Sequence, residues 1–420
     1  MIVRALNFVL RQPAGNFRLR AADRSRAAAL TLALLAFPGA ARAMDQIGSG
    51  AAMDHSDAMS PMPGGATAGH GGSGMAGERI PAGVTGAYMV PAGEGMFNYT
   101  PTFMHMSGNY VGSEQVSPQT IASTIFSGQF MTMTMKMGGM GGMPMTKTMI
   151  MPVMLRIVPS SMDSQMHMFN GMYGLTDSIN LMVMGSYAQK SMTMTTFAGM
   201  SGLAVLGQSS GSTEGFNDAM VGLNLRLYQD DVNHLQAGLA LALPVGAQTS
   251  TIQMLSAMGG YMTMRAPYAM QIGTGTVDLV PTLAYTGKMG PWSWGAMFRG
   301  RYALDKNSEG YQFGASNELT GWGGYSFIPG VTATFRVAGS TQDHIHGQDP
   351  LINGLSSPAN PLYYGGKRID LLGGLAVSGR PFGLGMTILA VEAGGPVFQE
   401  LNGPQLGKAW QISVAGRVMF

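Results

Sequence analysis

The chain has 420 residues, 62 glycines, 39 methionines and no cysteine, and only 11% of it is charged, against about 25% in a typical soluble domain. Without cysteine it has no disulfides, thiolate metal sites or cysteine nucleophiles. No apolar run of about 18 residues occurs beyond residue 43, which excludes a helical membrane span in the mature chain but suits a barrel that spreads its apolar residues at every second position.

The chain opens with a long positive region carrying Arg4, Arg11, Arg18, Arg20, Arg24 and Arg26. AAALTLALLAFPGA (27–40) follows as a short apolar core, and Ala41-Arg42-Ala43 as a small-x-small cleavage site. The pattern predicts a secretory signal peptide over 1–43, with an uncleaved anchor as the bland alternative. Removal takes seven of the 24 basic residues and one of the 22 acidic ones, leaving a formal charge of −4. The basic balance therefore belongs to the precursor, and nothing points to a nucleic-acid partner.

Residues 44–94 are poor in bulky side chains and rich in Gly, Ala, Pro, Met and His. Such a segment buries too little apolar surface to offset its chain entropy, and we expect a flexible periplasmic arm. Met53, His55, Met59, Met62 and His70 lie in it. Thioether plus imidazole is a donor set suited to Cu(I), so the arm is the better candidate for soft-metal binding; the bland reading is a linker.

From about Phe97 the pattern changes to alternation punctuated by turns, the signature of strands. In KAWQISVAGRVMF, Trp410, Val414, Val418 and the terminal Phe420 share an apolar face with Arg417 opposite. AMVGLNLRLY places Val221, Leu223, Leu225 and Leu227 on one face and Arg226 on the other; WSWGAMFRGRY opposes Trp292, Trp294 and Phe298 to Arg299 and Arg301. Strands are expected over 96–110, 162–174, 179–190, 214–228, 234–246, 271–286, 291–304, 311–325, 329–340, 367–378, 383–394 and 409–420. Short turns alternate with longer loops at 189–214, 246–270, 340–366 and 395–408. This predicts an all-β fold over 95–420: an antiparallel transmembrane β-barrel of about twelve strands. If MTMTMKMGGMGGMPMTKTMIM (131–151) and its flanks also cross, as a hairpin over 121–137 and 145–158, the count becomes fourteen. A soluble β-sandwich also alternates, but it keeps charges on its outer face.

MHMFNGMYGLTDSINLMVMGSYAQKSM (166–192) resembles the signature hairpin of a family of bacterial outer-membrane proteins described as transporters or meta-pathway phenol degradation proteins. GFNDAMVGLNLRLY (215–228), the strand ending ALPVG (242–246) and the closing aromatic fit the same pattern. The family is similar in architecture to the long-chain fatty acid transporters. The resemblance spans roughly 96–420 and implies a transmembrane barrel that passes small, often hydrophobic molecules, without catalytic residues. Residues 121–157 look like an enlargement of its first outer loop.

Alternation turns Arg226, Asp278, Arg299, Arg301, Arg336, Asp370 and Arg417 toward the lumen, since charges facing lipid at mid-depth are costly. They either line a path for solutes or pair into a plug. In the triplets Met104-His105-Met106 and Met166-His167-Met168 the period of two puts the methionines of each triplet on one face and the histidine on the other, so one triplet cannot chelate with all three; methionine is otherwise an adaptable filler. Asp343, His344 and His346 form a weak His-x-His signal in a loop. No nucleophile motif accompanies any histidine, so no enzyme is expected. The reading is a bacterial outer-membrane channel for passive passage of a small, hydrophobic molecule, with no cofactor. The alternative is a copper-binding resistance barrel that uses the Met/His arm. Expected partners are outer-membrane lipid and lipopolysaccharide, the barrel-assembly machinery that reads Trp410, Val414, Val418 and Phe420, and a small-molecule solute.

Overall fold

The computed structural model describes residues 77–138 and 144–420. Eleven strand elements form the wall: β1 Gly95–Gly112, β2 Ile157–Thr176, β3 Ile179–Phe197, β4 Ala219–Gln229, β5 Asn233–Leu243, β6 Asp278–Met289, β7 Trp292–Ala303, β8 Ser316–Ile328, β9 Val331–Gln342, β10 Gly366–Ser378 and β11 Thr387–Met419. Each pairs antiparallel with the next, and β11 pairs antiparallel with β1, so the sheet closes into a barrel. β11 serves as two passes: residues 388–401 pair with β10, and residues 401–419 pair with β1. A single pass antiparallel to β10 would run parallel to β1, so the antiparallel ladder to β1 requires the chain to have turned back. The wall is therefore crossed twelve times. Seam hydrogen bonds run from Gly95 N to Phe420 O (2.7 Å) and from Phe420 N to Gly95 O (2.9 Å).

The period of two sorts the faces. Leu223, Leu225, Leu239, Leu241, Phe335, Leu375, Trp410 and Val418 are exposed, while their neighbours Asn224, Ala240, Thr334, Arg336, Ala376 and Arg417 are buried. An apolar exterior around a polar, packed interior is the arrangement a lipid solvent selects. Short turns gather at one end. Thr176 Oγ1 accepts from Ser178 N and Ile179 N, and Asp230 Oδ1 accepts from Val232 N and Asn233 N, giving tight Asx- and Thr-capped reversals.

Several sequence expectations change at the opposite end. The stretch 189–214 is not a plain loop: β3 runs on to Phe197 and pairs there with Val205–Phe216, carrying the wall beyond what a membrane crossing requires. The expected loop 395–408 lies inside β11. The strand expected from 271 begins at Asp278. Phe126–Gly138 and Pro144–Met154 form a separate two-stranded sheet, so the methionine-rich hairpin adds no crossing and the fourteen-strand alternative does not hold. A seven-residue helix, Pro118–Thr124, capped by Ser117, leads into that ribbon.

Candidate functional site

The lumen is the site, and a segment of the chain itself fills one end of it. The flexible arm expected over 44–94 requires correction for its last part: Ile80, Ala82, Val84, Ala87, Tyr88 and Val90 are buried. Residues 77–94 enter at the short-turn end, where Arg79 Nη1 donates to Gly290 O. The segment then touches strands on opposite sides of the ring, which only a position inside the barrel allows. Arg417 of β11 donates to the carbonyls of Gly77, Ile80, Pro81 and Val84 and lies over the Tyr88 ring at 5.5 Å. Arg299 of β7 donates to Thr85 O, and Gln236 of β5 donates to Gly86 O at 2.6 Å. Gly83 sits so close to Arg336 and Glu392 that a Cβ would fall 2.5 Å from Arg336 Nη2. The plug lacks regular structure, so its carbonyls need donors, and the wall supplies them as arginine and glutamine side chains.

Two sectors of wall face the lumen. On β1, β2 and β3 the inward row is largely methionine: Met96, Met162, Met172, Met182, Met184, Met192 and Met194 are buried. Met106, Met162 and Met192 stand side by side in register across three strands. Met166 and Met168 share that face, while His167 points out and its Nδ1 lies 2.8 Å from the Tyr99 hydroxyl. His105 likewise faces out, with Nδ1 2.7 Å from Asp163 Oδ1 and its ring stacked on Trp410. The thioethers and imidazoles of the triplets thus lie on opposite sides of the wall.

From β6 to β11 the inward row carries ion pairs. Arg301 Nε donates to Asp278 Oδ2 (2.5 Å) and its Nη2 to Asp218 Oδ2 (3.0 Å). Arg336 binds Glu392 through two nitrogens, both side chains 5% exposed or less. Lys408 Nζ and Arg368 Nε converge on Asp370 Oδ2 at 2.9 and 3.1 Å. Burial is tolerable here because each carboxylate has its cation at hydrogen-bond distance. Arg226 is half-buried and stands in register with Gln236.

At the far mouth, loop residues build a small core of their own. Tyr268 and Tyr311 pack edge to face at 4.9 Å among Ile345 and Ile352. Arg265 binds the buried Asp349 at 3.1 Å and Glu309 at 3.3 Å. Burial pushes the Tyr311 phenol well above its ordinary range. Lys190 on β3 ties this cap to the wall by donating to Ala269 O and Gln271 O.

The seven inward charges named from sequence thus divide between plug-holding (Arg299, Arg417, and Arg336 against Gly83) and ion pairing (Asp278, Arg301, Asp370, again Arg336), with Arg226 apart. Sequence reasoning misses their partners Glu392, Asp218, Lys408 and Gln236. Glu392 is legible, since it alternates with Ala390 in ILAVEAGG, but Asp218 precedes its strand and carries no such signal. Trp410 and Val418 face out, with Val414 between them on the same alternation, and Phe420 is exposed at the seam. Met53, His55, Met59, Met62 and His70 lie outside the described residues. His344 and His346 have ring centroids 4.7 Å apart, but among the described residues no group of three or more His, Cys, Asp or Glu is placed to hold a metal.

No family model matches the sequence, and no curated protein matches it. Among solved structures the chain is similar to an outer membrane channel from Pseudomonas putida F1, at 14% identity and a TM-score of 0.47, covering 80% of this chain and 99% of that one. It is also similar to the Pseudomonas putida toluene transporter TodX, at 10% identity and TM-score 0.34 over 78% and 89% of the two chains. The Ralstonia pickettii toluene transporter TbuX gives 10% identity and TM-score 0.35 over 79% and 90%.

Proposed function

We propose that this barrel is a bacterial outer-membrane channel through which a small, hydrophobic molecule passes down its gradient, with the plug as the barrier to passage. One observation carries the reading: the lumen is rich in thioethers along β1 to β3, and is stopped by a segment that, among the described residues, hydrogen bonds and packing hold in place. A permanent scaffold has no need of a removable stopper, whereas a channel does. Methionine suits the role because its unbranched, polarizable side chain adapts to ligands of irregular shape. Following the secretory signal, the plug end would face the periplasm and the cap the exterior. The assembly machinery would read the closing strand through Trp410, Val414, Val418 and Phe420, and lipid and lipopolysaccharide would surround the wall. No step of this passage needs bond chemistry or a cofactor.

The test is flux through the full-length protein in liposomes. Arg417→Ala removes donors to four plug carbonyls and is expected to raise leakage of small solutes several-fold, as carbonyls without donors favour an unseated plug. Wild type should admit a hydrophobic solute faster than a sugar of equal size, each rate taken as the excess over protein-free liposomes. A folded Arg417→Ala barrel that passes neither would sink the channel reading.

A further inference from the structure

Beneath the plug, the inward face of β3, β4, β5 and β6 forms a grid that the plug does not fully occupy. Its first row runs Asn180, Asn224, Gly238, Thr282; its second Met182, Gly222, Ala240, Val280; its third Met184, Met220, Ala242, Asp278. The middle of the grid is small, and its flank is methionine. Gly238 allows two polar groups to close over it: a Cβ there would fall 2.4 Å from both Asn224 Oδ1 and Thr282 Oγ1. A cavity of about 10 Å³ separates this face from Gly86 of the plug, bounded by Met182, Met184, Met220, Asn224 and Thr282. It has room for about one water.

The amides around this grid are not satisfied. Asn224 is 1% exposed and Asn180 0% exposed, yet Asn224 Nδ2 and both Asn180 side-chain polar atoms have no hydrogen-bond partner, and Asn170 Nδ2, opposite Met184, has none either. Buried polar groups are nearly always paired, and an unpaired one marks a place where a partner belongs. Asn224 also lines the cavity itself. Arg299, on the same cavity, spends its guanidinium on Thr85 O of the plug, a hydrogen bond that breaks when the plug withdraws. The site then presents mostly donors, beside a thioether wall.

We propose that this face is a binding subsite for the oxygen-bearing head of a small apolar molecule, a hydroxyl or carbonyl, with its body against Met182, Met184 and Met220. With the plug seated, the space admits a water; with residues 85–87 displaced, it admits the head group. The inference rests on the channel reading and narrows it to mono-oxygenated over purely hydrocarbon solutes. A site built to hydrogen-bond a substrate oxygen discriminates strongly against the analogue that lacks it.

The experiment compares benzyl alcohol with toluene, similar in size and differing by the hydroxyl, as protein-dependent entry into liposomes carrying the full-length protein, measured as the excess over protein-free liposomes. Asn224→Leu keeps the branched side-chain shape and removes the amide. Benzyl alcohol entry is expected to fall about tenfold while toluene entry stays within about twofold. Thr282→Val is a second, milder variant expected to move the same ratio in the same direction, and heat-modifiable gel mobility verifies closure of both barrels. Equal loss of both solutes in both closed variants, or no change in either, overturns the subsite while wild-type flux keeps the channel reading standing. Wild type that passes neither solute overturns both.

Discussion

The lumen has two walls of opposite chemistry. From β1 to β3 the largest inward cluster is interchangeable in kind, thioethers packed on thioethers and on Ile157, Ile252 and Leu406, with small polar residues such as Asn98, Thr100 and Asn170 set between. From β6 to β11 they are paired by identity, Arg301 with Asp278, Arg336 with Glu392 and Lys408 with Asp370, while Arg299 and Arg417 hold plug carbonyls. Apolar packing is non-directional, so the methionine wall keeps its energy when a side chain shifts. A buried ion pair keeps its energy only when both partners stay in place. The paired wall therefore fixes the shape of the barrel, and the methionine wall can accommodate a guest.

The widest separation between the two walls should come from Arg336→Ala. It strands the Glu392 carboxylate, 1% exposed, and should cost about 3–5 kcal/mol, seen as a lower urea midpoint in detergent. The double change Arg336→Met with Glu392→Leu should recover most of that loss. If the single and double variants are equally unstable, the pair is not what holds the wall. Next, Met162→Ala on the opposite wall opens a cavity in a well-packed cluster and should cost about 2–5 kcal/mol, while Met192→Leu should cost under about 1.5 kcal/mol. A Met192→Leu penalty as large as that of Arg336→Ala would erase the contrast between the walls. The smallest effect is at the short turns, outside both walls. The Asn233 backbone and side chain, with Val232 N–H and the Tyr228 hydroxyl, hold the Asp230 carboxyl far below the usual carboxylate range. Its contribution is present above the unfolded carboxylate value of about 3.9 and fades as the pH falls toward the folded one. The stability gap between wild type and Asp230→Ala should therefore narrow between pH 7 and pH 3; a constant gap would show that the hydrogen bonds, not the charge, matter.

Much of the wall is legible because a period of two is a property of neighbours in sequence. Leu223, Leu225 and Leu227 announce a lipid face without reference to any other strand, and Arg417 announces an inward residue by lying between Gly416 and Val418. What Arg417 does is not legible, because its partners are the carbonyls of residues 77–84, which carry no side-chain signal. The plug stretch ERIPAGVTGAYMV has neither helical nor strand period, and its composition reads as unstructured; its order is imposed by donors supplied from three distant strands. The stretch 189–214 reads as a loop for a related reason. Ser, Thr and Gly are frequent in it, and beyond the membrane there is no lipid to demand an apolar face. The unsatisfied amides of Asn180 and Asn224 are equally hidden, since only the register between β3 and β4 brings them together.

The grip of Arg417 on Gly77, Ile80, Pro81 and Val84 spans as many as 340 positions of sequence. The residue that holds the plug lies on the pass of β11 that closes the barrel against β1. Plug and anchor are therefore far apart along the chain and adjacent only in the closed barrel. Interactions of such separation form late, after the chain entropy of the intervening loop has been given up. Seam closure at Gly95 and Phe420 and capture of the plug by Arg417 draw on the same pass of β11, so sealing and plugging are coupled through one strand.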